Sequence, residues 1–276
     1  MLQEDIQLYK DLVSYCNEHA SEIETKFLRE LSFTPFNEDC YKTMFYENRH
    51  ASTPPVVKDL KEKINGLKEA YAAAAKNYLT PRNKYKKGLD IQLGQWYEKA
   101  LCMFLSTKGF VVKKKGFPFP DLEVSTPKGE ILGYFELKYI ESPFLSANTK
   151  IKNTYPYEGK RFDYEASLTL DTGKKMCSQR EKMQELEEEG IPVHFLWWFD
   201  SFHIKGIFAM SAHDVYDFYD HVGDLHERKT REGDAESHQE IGKIYPPLLE
   251  MTTFCEYVDL LDSLHTGILQ RINTDY

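Results

Sequence analysis

A run of apolar residues, Val193 to Phe199, constrains the fold of this chain more than any other feature of its sequence. The run contains Val, His, Phe, Leu, Trp, Trp and Phe, with no alternation of polar and apolar side chains. Side chains of a strand point alternately to its two faces, so such a run is typical of a strand that is covered on both faces. A second, mostly apolar run extends from Ile204 to Met210. Together they predict the centre of a sheet with helices on both sides.

Helical patterns surround these two strands. Apolar residues from Ile91 to Thr107 recur at three- and four-residue steps, and Gly109 lies just beyond the last of them. That combination predicts an amphipathic helix and its end. Three further helices are expected at 174–189, from Ser211 onward and at about 254–271. Ser211 is the expected N-cap, since Asp214 follows it at the spacing of a capping box.

Two β-like segments, Phe117 to Ser125 and Ile131 to Ile140, lie between the first and second of these helices. The intervening residues 126–130 contain Pro and Gly, which is typical of a hairpin turn. A short strand, Phe110-Val111-Val112, comes before the hairpin. From Leu89 the order is therefore α, β, β, β, α, β, β, α. This order predicts an α/β domain with a mixed β-sheet core flanked by helices.

The N-terminal region is expected to be all-helical. Apolar residues recur at helical spacing over 3–30 and again over 57–78, and a basic linker at 80–88 follows. We therefore expect three parts: a helical N-terminal region (1–88) for recognition or dimerisation, a core (89–210), and an acidic helical extension packed on the core (211–276).

The charge of the chain is unevenly distributed. It holds 44 Asp+Glu against 35 Lys+Arg, a net charge of −9. Residues 211–276 alone hold 14 acidic and 5 basic residues, so they account for a charge of −9 and the rest of the chain is neutral overall. Phosphate binding needs Lys and Arg, but a neutral core does not exclude a protein that acts on nucleic acid.

Cysteines and apolar segments bear on the cellular compartment. The five cysteines are far apart and form no CxxC pair, which is typical of thiols in a reducing compartment. The N-terminus has no basic region followed by an apolar run, and no apolar stretch approaches about 20 residues. We expect a cytoplasmic protein without a signal peptide or membrane span.

The hairpin places three chemically useful residues together. If residues 127–130 form a four-residue loop, Thr126 lies opposite Ile131, and paired residue numbers sum to 257. Asp121 then lies opposite Glu136, with the two Cβ atoms about 4.5–5.5 Å apart. Lys138 points to the same face, because it follows Glu136 by two residues. A one-residue change of register would separate them.

Two carboxylates at this separation repel each other unless one is protonated or a cation lies between them. Mg²⁺ prefers oxygen ligands, and two carboxylates with a phosphate oxygen suit it. The ammonium of Lys138 could orient the attacking water or offset negative charge in the transition state. This combination meets the needs of phosphodiester hydrolysis. Glu123 shares the face of Asp121 in this register and is an alternative ligand.

Pro120-Asp121, then fourteen residues, then Glu136-Leu137-Lys138 resemble the PD-(D/E)XK signature of restriction-endonuclease-like nucleases. The resemblance implies that Asp121, Glu136 and the carbonyl of Leu137 bind the metal. It also implies that Lys138 serves the attacking water.

Two further site residues follow from the same resemblance, which covers about residues 89–210. In such nucleases the helix before the hairpin often carries an acidic residue, and Glu98 occupies that place. Some members have a Gln on the helix after the third strand, where this chain has Gln179. The Tyr that often follows four residues later in such nucleases is replaced here by Met183.

The resemblance implies a Mg²⁺-dependent DNA endonuclease of the restriction or host-defence kind, with Mn²⁺ able to replace Mg²⁺. A restriction enzyme that cuts both strands needs two active sites, so a homodimer is expected. Basic clusters at 82–87, 113–115 and 150–161 could contact the substrate, and the last contains tyrosines suited to stacking on bases. The alternative is a catalytically inactive member of the same fold that binds DNA or assembles with other proteins.

Overall fold

The computed structural model describes only part of the chain. The described residues are 2–23, 38–42, 89–140, 156–157, 160–161, 170–172, 174–200, 205–223, 226–228, 241–244, 246 and 250–274. The helix expected at 57–78, the basic linker at 80–88 and most of the basic cluster at 150–161 lie outside these ranges.

The described residues form helices and strands in the following order. The helices are α1 (Leu2–Glu18), α2 (Glu38–Tyr41), α3 (Leu89–Thr107), α4 (Lys174–Glu188), α5 (Ala212–Val222) and α6 (Phe254–Thr274). The strands are β1 (Val111–Lys114), β2 (Leu122–Ser125), β3 (Ile131–Ile140), β4 (Pro156–Tyr157), β5 (Lys160–Arg161), β6 (Leu170–Asp171), β7 (Val193–Asp200), β8 (Lys205–Ser211), β9 (His226–Arg228), β10 (Ile241–Ile244) and β11 (Thr252–Thr253).

A mixed sheet of six described strands, in the order β1-β2-β3-β7-β8-β11, forms the centre of the fold. Strands β3 and β7 are parallel, whereas the other neighbouring pairs are antiparallel. The predicted mixed sheet flanked by helices is thus confirmed. The short strands β4–β6, β9 and β10 form two further small sheets that the sequence did not predict.

Each face of the sheet is covered by helices, because both sets of alternating side chains on β7 are apolar. Phe195 and Trp197 lie in a buried cluster with residues of α4 and α5. Leu196 and Trp198 lie in a second cluster with residues of α1, α3 and α6. The continuous apolar run therefore has the two-sided burial that its sequence predicts. Among the described residues, no helix combines the length and apolar character that crossing a bilayer needs.

The strand expected from Phe117 onward begins later, so this boundary was wrong. Strand β2 starts at Leu122, and the preceding residues form a turn. The backbone N–H of Lys115 donates to the carbonyl of Asp121 at 2.8 Å and closes that turn. Pro118 and Pro120 have no N–H to donate to a neighbouring strand, which explains the late start.

The predicted hairpin register holds where it matters for the site. Leu122 pairs with Phe135 and Glu123 with Tyr134, so these residue numbers sum to 257 as expected. The loop end differs, because the register shifts after Val124 and Ser125 pairs with Ile131. A bulge at the loop thus absorbs one residue, and the Asp121 end keeps its predicted alignment with Glu136.

Gly133 lies at the start of the pairing between β3 and β7. The backbone N–H of Tyr134 donates to the carbonyl of Pro192 at 2.9 Å. A Cβ added at Gly133 would lie 2.9 Å from that same carbonyl oxygen. A glycine is therefore required for the close approach that places β7, and the helix before it, beside β3.

Candidate active site

Glu136 is fully buried, and its carboxylate lies at the centre of the candidate site. Its Oε2 accepts the backbone N–H of Asp121 at 3.0 Å and the Nε2 amide of Gln179 at 3.4 Å. Its Oε1 accepts from the ammonium of Lys138 at 2.7 Å. A buried carboxylate is costly unless it is paired and hydrogen-bonded. These donors from three different elements offset that cost.

Asp121 lies immediately before β2 and is joined to β3 in both directions. Its backbone N–H donates to Glu136, while its Oδ2 accepts the backbone N–H of Leu137 at 3.1 Å. The side chain thus satisfies a backbone donor of β3 just beyond the last residue pair of the ladder. This reciprocal arrangement fixes the position of the Asp121 carboxylate beside that of Glu136.

Lys138 lies on the same face of β3 as Glu136, as the two-residue spacing predicts. Its side chain is 29% exposed, whereas that of Glu136 is inaccessible to solvent. The ammonium therefore stands between a buried carboxylate and solvent, at a place where a substrate or a water molecule can reach it.

Gln179 reaches the site from helix α4. This helix connects two parallel strands, β3 and β7, and such a crossover lays its helix across one face of the sheet. Gln179 is buried, and its Nε2 donates to the carbonyl of Phe119 at 3.2 Å as well as to Glu136. It therefore ties the turn before Asp121 to the buried carboxylate. The structure brings Asp121, Glu136, Lys138 and Gln179 together.

Glu98 is placed differently. It forms an ion pair with Lys114, at the end of the edge strand β1. Helix α3 packs on the face of the sheet opposite to the one that carries the Glu136 side chain, with Tyr97 stacked on Tyr139. The described contacts of Glu98 thus do not join it to the other four residues, and its part in the site stays a prediction.

Glu123, the alternative ligand, is occupied by another network. It accepts from the ammonium of Lys115 and from the hydroxyl of Tyr134, both at 2.9 Å. Burial opposes ionisation of Glu123, but these two hydrogen bonds, with the nearby charges of Lys115 and Lys113, outweigh it and hold its pKa below the usual value. Glu123 is therefore an ionised partner of Lys115 beside the site.

Tyr216 is a neighbour of the site that the sequence did not reveal. Its buried hydroxyl donates to the carbonyl of Met176 at 3.1 Å and lies 3.4 Å from the sulfur of Met183. Burial raises the pKa of Tyr216 well above its usual value, and the negative charge of Glu136 adds to the effect. It lies on α5, far along the chain, and no local pattern links it to the hairpin.

The donor set around Glu136 fits a hard divalent cation of the magnesium type. Within the described part of the chain, no group of three or more His, Cys, Asp or Glu side chains could hold a metal ion by itself. Mg²⁺ is commonly held by one or two carboxylates, with substrate phosphates and waters as its other ligands. Asp121 and Glu136 supply two carboxylates, and the carbonyl of Leu137 is a further oxygen. Such a site would be complete only with substrate and water.

No family model matches the chain, and no curated protein is similar to it in sequence. Among solved structures, the chain is similar to a Holliday junction resolvase from Archaeoglobus fulgidus, an archaeal hyperthermophile. The match has 13% sequence identity and a TM-score of 0.32, and it covers 59% of this chain and 93% of that chain.

Proposed function

We propose that this protein is a Mg²⁺-dependent DNA endonuclease that hydrolyses phosphodiester bonds at the site around Glu136. One observation carries the proposal. A fully buried carboxylate is held by Asp121, Lys138 and Gln179. Two carboxylates and an ammonium lie on one side of a hairpin, and Asp121 and Lys138 are partly open to solvent. This arrangement suits phosphoryl transfer better than a purely structural role.

The residues have separate roles in this proposal. Asp121, Glu136 and the carbonyl of Leu137 would hold Mg²⁺, or Mn²⁺ in its place. When bound, the cation offsets phosphate charge and makes a water molecule more acidic. Lys138 orients the attacking water and stabilises the negative charge that develops at phosphorus. Gln179 positions Glu136 through its amide and excludes water from the buried side of the carboxylate.

A restriction or host-defence role also makes a prediction about the oligomeric state of the protein. Cutting both strands of a duplex requires two active sites, so we infer a homodimer for that role. Sedimentation of the protein with and without duplex DNA measures this directly. A monomer that nicks only one strand would agree with the proposed nuclease activity but would contradict the restriction role.

The alternative, a catalytically inactive module that binds DNA, has one observation in its favour. Lys138 already pairs with Glu136 at 2.7 Å, so the buried charge is compensated without a metal. A descendant that has lost its metal could retain this ion pair as a structural element. Activity measurements therefore have to include binding as well as cleavage.

The experiment compares wild type with Glu136→Ala on plasmid and linear duplex DNA, in Mg²⁺, in Mn²⁺ and in EDTA. We expect cleavage by wild type with either metal, none in EDTA, and none by Glu136→Ala. Glu123→Gln is the matched control, because it alters a second buried carboxylate on the same face, and it should still cut. If wild type and Glu136→Ala bind DNA alike and neither cuts, the protein is an inactive DNA-binding module and the proposed nuclease activity is wrong.

A further inference from the structure

Two phenylalanines in the turn before Asp121 have opposite environments. Phe119 is partly buried and packs against Tyr134, with ring centroids 5.8 Å apart. Phe117 is 65% exposed, more than any other large apolar residue among those described. Single exposed apolar residues are common on protein surfaces. The position of this one distinguishes it, because it lies four residues before a candidate catalytic carboxylate.

The turn holds Phe117 in a fixed relation to the site. Its ends are joined by the bond from Lys115 N–H to the carbonyl of Asp121, at 2.8 Å, and Phe119 N–H donates to the carbonyl of Gly116 at 3.1 Å. Gln179 anchors the inner side by donating to the carbonyl of Phe119. The exposed ring is therefore carried by a braced turn, which lowers the entropy that a contact would cost.

Cationic groups flank this turn. The ammonium of Lys115 lies 5.1 Å from the ring centroid of Phe119, and that of Lys182 lies 4.8 Å from it on α4. Lys113 and Lys114 are exposed on the adjoining edge strand. Three of these four lysines also pair with a carboxylate: Lys114 with Glu98, Lys115 with Glu123 and Lys182 with Glu185. Aromatic rings among Lys and Arg side chains suit single-stranded nucleic acid, because bases stack on the rings while cations contact phosphates.

The distance to the site is short on the scale of nucleic acid. Four residues span at most about 14 Å, so the Cα atoms of Phe117 and Asp121 cannot be farther apart than that. Successive stacked nucleotides along one strand rise by about 3.4 Å. Phe117 therefore lies within roughly four nucleotides of a phosphate held at Asp121. A fully paired duplex offers no free base face at that place.

We propose that Phe117 stacks on an unpaired base within about four nucleotides of the phosphate held at Asp121 and Glu136, so that the preferred substrate is a duplex interrupted by an unpaired nucleotide. The inference rests on the proposed function for the identity of the ligand as DNA.

The test uses two DNA duplexes of the same sequence, one fully paired and one with a single unpaired 2-aminopurine. Binding is measured with Ca²⁺ in place of Mg²⁺, by titration of wild type, Phe117→Ala, Phe117→Trp and Ile131→Ala. Stacking on a protein ring quenches 2-aminopurine fluorescence. Ile131 is the matched control, since it is an exposed apolar residue at the loop end of the same hairpin.

Wild type, Phe117→Trp and Ile131→Ala should quench the fluorescence and prefer the interrupted duplex. Phe117→Ala should lose the quenching and bind that duplex about 5- to 150-fold more weakly, the range expected for loss of one stacked base. Equal quenching by Phe117→Ala, or no binding of either duplex by wild type, overturns the proposal. Cleavage in Mg²⁺ is scored separately. If wild type quenches the fluorescence through Phe117 but cuts neither duplex, the stacking proposal stands and the proposed nuclease activity is wrong.

Discussion

Glu136 accepts the backbone N–H of Asp121 at 3.0 Å, across the open end of the β2–β3 hairpin. The side chain of Asp121 in turn accepts the backbone N–H of Leu137 at 3.1 Å. Each acidic residue thus uses part of its hydrogen-bonding capacity to hold the other segment in place. The same hydrogen bonds hold the end of the hairpin and the candidate site. A substitution here is therefore expected to change both stability and activity, and both should be measured.

Asp121→Asn separates the two roles of Asp121. The amide oxygen of Asn can still accept the Leu137 N–H, so the free energy of unfolding should change by no more than about 1 kcal/mol. The negative charge is lost, and cleavage should fall by at least about 10- to 100-fold, the typical cost of altering even a residue that only supports a metal ligand. Urea unfolding and initial cleavage rates measure the two effects. An Asn variant that cuts like wild type would remove Asp121 from the chemistry.

Lys138→Met tests whether Lys138 is needed for cleavage but not for metal binding. The variant keeps Asp121 and Glu136 and removes the ammonium 2.7 Å from Glu136. We expect cleavage to be lost, while Mg²⁺ still raises the melting temperature, because a ligand that binds the folded state stabilises it. Glu136→Ala should lose both responses. Normal cleavage by Lys138→Met would show that the lysine has only a structural role.

Gln179→Met removes a buried amide that bridges Glu136 and the carbonyl of Phe119. Met fills a similar volume but donates no hydrogen bond, so the free energy of unfolding should fall by about 1–3 kcal/mol. Cleavage should decrease as well, since Glu136 loses a positioning contact. The matched control is Gln184→Met, the same change at an exposed position of the same helix. Equal stability of the two variants would contradict the bridging role.

His194 predicts a pH dependence of stability. Burial beside Tyr257 lowers the pKa of His194 to about 4, and the negative charge of Asp214 only partly opposes this. The unfolded chain has a pKa near 6.5 at this position, so between these values only the unfolded state binds the proton. The free energy of unfolding should therefore fall by roughly 3 kcal/mol between about pH 6.5 and pH 4.

The variant His194→Phe keeps a ring beside Tyr257 and cannot titrate. Urea unfolding over the same pH range should then show a shallower slope than wild type. The difference between the two proteins isolates His194 from carboxylates such as Glu123, whose lowered pKa makes stability fall at still lower pH. Identical slopes for both proteins would refute a neutral, partly buried His194.

The spacing of residues within one hairpin predicted the part of the site that this hairpin carries. Asp121, Glu136 and Lys138 meet because strand alternation and a short loop determine their relation, and the bulge at Ser125 did not disturb it. The extended form expected for 117–121 was wrong, because the backbone of two prolines favoured a turn. That turn carries Phe117.

Contacts between distant elements could not be predicted in this way. Gln179 was inferred from a resemblance, and its bond to the carbonyl of Phe119 depends on how α4 crosses the sheet. Tyr216 approaches Glu136 only through the packing of α5 on the same face. Glu98 was placed by its position in the order of elements, and the structure pairs it with Lys114. Periodicity predicts which face of a helix is buried but not which residues it meets.

Cleavage of plasmid DNA by wild type and Glu136→Ala, each in Mg²⁺ and in EDTA, shows whether Glu136 is needed for metal-dependent hydrolysis. We expect nicked or linear products from wild type in Mg²⁺ only, and intact plasmid in the other three reactions. Intact plasmid from wild type in Mg²⁺, or cleavage by Glu136→Ala at the wild-type rate, would show that Glu136 does not support metal-dependent cleavage.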